Sequence, residues 1–138
     1  MGQEPCSGVF RGEVFSGRGE GSFYVSIYAR SFRRKLGFTP YPGTLNVRLV
    51  EGIDEYNDCV RMLPKTVIEP PQIEGARLAR VVVYRVYVNG YPAFAVRPEI
   101  TVYRNDVVEV IAPEYLREKL RLKDGDTVYI GISRSSGE

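Results

Sequence analysis

Histidine is missing from this sequence altogether. That absence excludes Ser-His-Asp and Cys-His nucleophilic catalysis, and with them every histidine-ligated metal centre. Acid–base work falls to carboxylates, lysine or tyrosine, and any metal must be a hard one held by oxygen. Cysteine is scarce: Cys6 and Cys59 are the only two. Two thiols without histidine cannot build a four-ligand zinc site, and in a reducing cytosol they are expected to stay unlinked. No apolar run approaches the roughly 20 residues that span a bilayer. The opening MGQEPCSGVF carries neither the basic region nor the apolar stretch of a signal peptide. A cytoplasmic protein without membrane association is therefore expected. Net charge is also small, +2, which gives little footing to a general nucleic-acid binder. One local patch, RSFRRKLGF with Arg30, Arg33, Arg34 and Lys35, reads either as a solvated helix face or as an anion-attracting surface. No glycine-lysine-serine/threonine triplet occurs, and no G-x-G-x-x-G leads into a helix.

What the sequence does contain is mostly strand signal. Its 138 residues suit one domain, 1–138, with a single hydrophobic core and flexible tails expected at 1–7 and 134–138. GVFRGEVF (8–15), SFYVSIY (22–28), TLNVRLVE (44–51), DVVEVIA (106–112) and TVYIGIS (127–133) all read as strands. The segment RLARVVVYRVYVNGYPAFAVRP is the clearest hairpin, with Asn89-Gly90 as a two-residue type I′ turn. A helix is predicted over 29–36, where Phe32 and Leu36 share a face and Gly37 ends it. A second is predicted over 113–120, with Pro113 in its first turn. Residues 52–77 are the hardest stretch: EYNDCVRML reads at most as a helical turn, and the two prolines of VIEPPQIEG exclude a central strand. Six or seven strands with two short helices leave too many edges for an open sheet of this size. A small closed barrel is the economical solution.

Three stretches carry chemistry. In FSGRGEGSFYVSIY, Gly17, Gly19 and Gly21 alternate. They read either as a plain glycine-rich hairpin or as a cradle whose backbone N–H groups converge on an anion without Cβ obstruction. In PYPGTLNVRL, Thr44 and Asn46 lie two apart on a strand and share a face, opposite Leu45, Val47 and Leu49. They are either a solvent-facing polar pair or two neutral hard ligands of the kind that magnesium accepts beside phosphate oxygens. In EVIAPEYLREKL, Glu109 points away from Val108 and Val110, either to water or into a pocket. Beyond it a helix N-terminus around Glu114 and Tyr115 offers N–H groups, and Arg117 suits a phosphate.

Taken in order, the GxGxG connection, then LGFTPYPGTLNVRL, then EVIAPEYLREKLRLKDGDTVYI, the sequence resembles the archaeal CTP-dependent riboflavin kinases. The likeness runs from about Gly12 to Ile132; GTLNV and EVIAP-x-x-LR are its specific parts, and about 52–95 contributes nothing. The resemblance implies a mainly β, six-stranded cradle-loop barrel. It implies transfer of the γ-phosphoryl group of CTP to the ribityl 5′-hydroxyl of riboflavin, giving FMN and CDP with Mg2+ assistance. By the same likeness Arg18, Gly19, Glu20, Gly21, Ser22 and Phe23 match a nucleotide-binding loop. Glu114, Tyr115, Leu116 and Arg117 match a second nucleotide segment. Thr44 and Asn46 match magnesium ligands, and Thr101 and Glu109 match flavin contacts, with Glu109 either orienting the hydroxyl or also accepting its proton. Family members sometimes carry a DNA-binding domain ahead of the kinase; with a barrel beginning near residue 8, none is expected here. The expected partners are riboflavin or FMN and CTP or CDP, with no nucleic acid, membrane or obligatory protein partner. Two other readings stand beside this one: a barrel-type DNA-binding regulator using the basic patch and the LKDGD-x-V-x-I ending, and a flavin- or nucleotide-binding module without turnover.

Overall fold

The computed structural model describes residues 6–17, 20–101 and 103–133. Among these, seven strands and four short helices follow in the order β1 (Ser7–Phe15), α1 (Glu20–Ile27), α2 (Ala29–Leu36), β2 (Leu45–Leu49), α3 (Ile53–Val60), β3 (Thr66–Ile68), β4 (Val81–Val88), β5 (Tyr91–Pro98), β6 (Val107–Ile111), α4 (Leu116–Lys119) and β7 (Thr127–Ser133). The sheet runs β4-β5-β6-β2-β1-β7, and β7 pairs back onto β4, so six antiparallel strands close into a barrel. Strand β3 lies outside that ring, on the first half of β4, with Thr66 opposite Val83 and Ile68 opposite Val81. Closure pairs every ring strand on both sides, which removes the unpaired edges that a seven-stranded open sheet would present.

Two apolar cores result, one on each side of the barrel wall. Inside, Val14, Val47, Val86, Val110, Val128 and Ile130 are buried. Outside, Val25, Tyr28 and Phe32 of the α1–α2 pair lie on Ile68, Val81, Val83, Val96 and Ile111. Full burial of a ring such as Phe32 contributes about 1.5–3 kcal/mol. Alternation along each strand separates the two cores: on β6, Val108 and Val110 go inward, while Ile111 belongs to the outer cluster.

Several expectations hold in detail. The β4–β5 hairpin turns on Asn89 (φ +49°) and Gly90 (φ +84°), as a type I′ turn demands. Helix α2 covers 29–36 and ends at Gly37 in the left-handed region. The four basic residues of α2 are exposed around buried Phe32.

Others need correction. Residues 22–28 are not a strand but the body of α1 and its link to α2. SFYVSIY alternates like a strand, yet Val25, Tyr28 and Phe32 bury at the i, i+3, i+7 spacing of one helical face, and packing on the barrel wall decides the matter. Residues 53–60 form a full helix, α3, whose Tyr56 and Cys59 are buried in the inner core. The helix expected over 113–120 is a single turn beginning at Leu116, so Pro113, Glu114 and Tyr115 precede it. Cys6 and Cys59 are not free thiols: they are joined by a disulfide, with their Cα atoms 5.5 Å apart. Compartment was the only basis for expecting them unlinked, whereas the fold places the foot of β1 beside α3 within bridging distance. Ser7 opens β1 and Cys6 is bridged, so residues 6 and 7 are not tail; the remaining tail residues, 1–5 and 134–138, lie outside the described residues. No helix of the described residues is long and apolar enough to cross a membrane.

Candidate active site

The outer face of the barrel carries one transverse row of directly paired residues. Phe15 of β1 faces Asn46 of β2, Asn46 faces Glu109 of β6, and Glu109 faces Val96 of β5. Cross-strand partners share a face of the sheet, and Val96 belongs to the outer cluster beneath α1 and α2. The strands therefore fold this way because their alternate apolar positions fill the barrel, leaving Asn46 and Glu109 on the wall's other side. Both are nonetheless buried, at 7% and 5% exposure. They are the only buried polar or charged residues among those described, and burying such groups is costly unless they are partnered.

Thr44 completes this polar group. Its hydroxyl donates to Asn46 Oδ1 at 2.9 Å, so two neutral oxygens sit side by side at the edge of the row. Gly17 closes it from above. A Cβ built on Gly17 would lie 2.3 Å from Tyr103 Oη and 2.5 Å from Asn46 Nδ2. A larger residue here would have to displace the Tyr103 hydroxyl and the Asn46 amide, both turned toward the Gly17 backbone. Tyr103 also packs edge-on against Phe15, with ring centroids 5.8 Å apart. Its loop is held by Arg97, which donates to the carbonyls of Tyr103 and Arg104 at 2.9 and 3.0 Å. Thr101 lies on the same loop and accepts from the Tyr103 N–H at 3.2 Å.

Helix α1 covers the row with Tyr24. The Tyr24 hydroxyl is buried and has no hydrogen-bond partner among the described residues. Burial first, and then the charge of Glu109, push its phenol well above the ordinary value, so it stays a neutral donor beside a carboxylate.

A second cleft adjoins Thr44. Tyr41, Gly43, Thr44 and Leu45 form one side, and Val110, Ala112 and Glu114–Arg117 form the other. Tyr41 and Tyr115 stack with centroids 4.4 Å apart, and the Tyr41 N–H donates to Ala112 O at 2.8 Å. Glu114 accepts from the Tyr91 hydroxyl and pairs with Lys119 at 3.7 Å. Arg117 reaches across to the end of β1. Its Nη2 donates to Phe15 O at 3.3 Å and to Asp124 Oδ1 at 2.7 Å. The Ser16 hydroxyl donates to the same Asp124 carboxylate at 2.8 and 2.9 Å.

The fold thus brings Thr44, Asn46, Glu109 and Arg117 to one end of the barrel around the entry to the glycine-rich connection. Leu116 is buried under that cleft, and Glu114 and Tyr115 line its rim. Arg18 and Gly19 lie outside the described residues. Glu20, Gly21, Ser22 and Phe23, expected as a loop running into a strand, are instead the first turn of α1, where Ser22 is exposed. The anion-binding N-terminus expected around Glu114 and Tyr115 is not built, because α4 is one turn long and starts beyond both. Sequence reading missed Tyr24, Tyr41, Tyr103, Ser16 and Asp124. Nothing in the spacing of ten tyrosines marks three of them, and Ser16 and Asp124 meet across 108 residues of chain.

Comparison with known proteins identifies the family. A family model named for the CTP-dependent riboflavin kinases, described as domain of unknown function DUF120, matches residues 14–132. A riboflavin kinase of Aeropyrum pernix is 54% identical over 122 residues, covering 88% of this chain and 92% of that protein. One from Pyrobaculum aerophilum is 44% identical over 124 residues, 88% of this chain and 59% of the relative. One from Archaeoglobus fulgidus is 41% identical over 124 residues, 88% and 53%. The chain thus spans nearly all of the Aeropyrum protein and somewhat more than half of the other two. With the match running from Val14 to Ile132, through both walls of the cleft and the whole polar row, the chain belongs to the archaeal CTP-dependent riboflavin kinase family and is a kinase.

Proposed function

We propose that the chain transfers the γ-phosphoryl group of CTP to the ribityl 5′-hydroxyl of riboflavin, releasing FMN and CDP, with Mg2+. The observation that carries this reading is the meeting, on one buried face, of a carboxylate (Glu109), a pair of adjacent neutral oxygens (Thr44 and Asn46) and the entry to a glycine-rich connection. Phosphoryl transfer is chiefly a matter of positioning and charge stabilisation, and none of these parts needs histidine.

The donor oxygens suit magnesium. Thr44 Oγ1 and Asn46 Oδ1 lie 2.9 Å apart, close to the roughly 3 Å between adjacent ligands of an octahedral ion bound at about 2.1 Å. Bound there, Mg2+ would supply neutralisation of the charge on the transferring phosphate. The chain's own residues supply the rest. Glu109 accepts a hydrogen bond from the 5′-hydroxyl and orients it for in-line attack on the γ-phosphorus. As the new O–P bond forms and the bond to the β-phosphate oxygen breaks, the hydroxyl proton passes to the Glu109 carboxylate and then to water. Arg117 and the first turn of α1 (Glu20, Gly21, Ser22 and Phe23) bind the phosphates, since first-turn N–H groups of a helix lack intrahelical acceptors; Arg18 and Gly19 are assigned to the same task by their match to the nucleotide-binding loop. Glu114, Tyr115 and Leu116, opposite Tyr41 and Gly43, read the base through backbone and rim groups. Thr101, on the loop that carries Tyr103, contacts the flavin.

Incubation with riboflavin, Mg2+ and each of CTP, ATP, GTP and UTP, followed by flavin chromatography, tests the reading. FMN with CTP and little with the others is the expected result. FMN with ATP in place of CTP refutes the base assignment. No FMN with any nucleotide, together with salt-sensitive DNA binding, refutes the kinase reading and favours a regulator.

A further inference from the structure

The turn that precedes β7 has no part in the chemistry above, yet it is tied into the site. Its backbone is docked on the end of β1: Val14 N–H donates to Asp126 O at 2.9 Å, and Gly125 N–H donates to Val14 O at 2.8 Å. The turn is also closed on itself, by Asp126 N–H to Lys123 O at 3.0 Å and Lys123 N–H to Asp126 Oδ2 at 2.9 Å. A rigid turn thereby holds the Asp124 carboxylate between Ser16, the last residue before Gly17, and Arg117, the first basic residue of α4.

The hydrogen-bond pattern at Arg117 is lopsided. Its bonds to Asp124, Phe15 O and Ser16 Oγ all leave from Nη2. Among the described residues Nε and Nη1 have no partner, so one flank of a planar fork remains for a ligand. An exposed carboxylate beside a triphosphate site would only repel its ligand unless it served the groups around it. With the Asp124 side chain 56% exposed, its ion pair with Arg117 is also of a kind that adds little to stability.

We propose that Asp124 is a positioning residue for nucleotide binding: it fixes Arg117 by one nitrogen, so that the other two face the phosphates, and pins Ser16 at the mouth of the glycine-rich connection. The inference rests on the kinase reading above and adds to it a residue that touches no substrate. Because the carboxylate acts through Arg117, its influence belongs to the nucleotide side of the reaction and leaves the flavin side alone.

Asp124→Asn keeps the size and the acceptor oxygen but removes the charge. It is expected to weaken CDP binding, measured by calorimetry, and to raise the KM for CTP, each by about tenfold, the usual weight of a charge-assisted hydrogen bond. KM for riboflavin should stay as in the wild type, and the thermal midpoint at neutral pH should fall only slightly. In an Arg117→Gln background the same substitution should change CDP affinity less than twofold, since its intermediary is gone. Ser16→Ala tests the second arm and should reproduce part of the loss. Wild-type protein that binds no CDP overturns the kinase reading and this proposal together. Wild-type protein that binds CDP while Asp124→Asn binds it equally well overturns the proposal alone. A full Asp124→Asn effect in the Arg117→Gln background, or an equal rise in the KM for riboflavin, also overturns it.

Discussion

The two faces of the β2–β6 ladder are built from neighbouring residues and do opposite work. On the inner face Leu45, Val47 and Leu49 meet Val108 and Val110 in a hydrophobic core whose Tyr56 and Tyr84 hydroxyls bond each other at 2.6 Å. On the outer face, one residue away in each case, Asn46 lies opposite Glu109 under the cover of α1. At this pair the outer face is buried like the inner one, so burial itself does not distinguish them. The inner face gains free energy from every methyl group removed from water. The outer face holds an amide and a carboxylate that favour water, and the proposed function gives that pair its task. Core filling and the buried polar pair therefore alternate along the same two strands, with Leu45 and Val110 also reaching the lining of the cleft.

The largest expected effect tests the outer face. Glu109→Gln should lower FMN formation by about 10²–10⁴-fold if the carboxylate takes the hydroxyl proton; near-normal turnover in a single-turnover assay limits it to orientation. On the inner face, Leu49→Ala should cost about 2–5 kcal/mol of stability through the cavity it leaves. Urea unfolding measures that loss, and the KM for riboflavin should not move; a changed KM breaks the separation of the two faces. Gly17→Ala sharpens it. The new methyl would collide with the Asn46 amide and the Tyr103 hydroxyl, and displacing a ligand by about 1 Å costs on the order of 10²-fold in turnover. Adding Tyr103→Phe should restore only part of that, because the clash with Asn46 persists. Thr44→Val, which keeps shape and removes one oxygen, should raise the Mg2+ concentration for half-maximal turnover by about tenfold, within the range seen when a metal site loses polar support.

The smallest effect is at the rim. Arg117 and Ser16, by their hydrogen bonds, hold the Asp124 carboxyl below its ordinary value of 3.8. A depressed folded-state value contributes stability that is present above the unfolded value and is lost as pH falls through the folded one. The gap in thermal midpoint between wild type and Asp124→Asn should accordingly be small at neutral pH and vanish in strong acid. A gap that widens on acidification contradicts this ion pair.

Much of this was legible before any coordinates. Asn89-Gly90 requires positive φ at both positions, and few sequences other than a type I′ hairpin satisfy that between β-branched runs. The alternation of TLNVRL and DVVEVIA placed Asn46 and Glu109 on the face opposite Val47, Val108 and Val110, which is where they lie. Local pattern failed where two periods overlapped. Phe23, Val25 and Ile27 alternate like a strand, while Val25, Tyr28 and Phe32 mark a helix, and only the apolar outer wall of the barrel selects the second. It failed again at Pro113, where a favourable first-turn proline did not start the helix; α4 begins three residues later, at Leu116.

Alone, the sequence determined the barrel strands, the parity that sorts apolar from polar residues, the lack of histidine chemistry and the stretches that form the site. Those properties follow from side-chain period and composition, which are local. Only the tertiary structure decided that Cys6 would meet Cys59, that Tyr24 would cover Glu109, and that Asp124 would grip Ser16 and Arg117 from the far end of the chain. Such meetings depend on how a closed barrel brings distant strands to one end, and no local pattern encodes that distance.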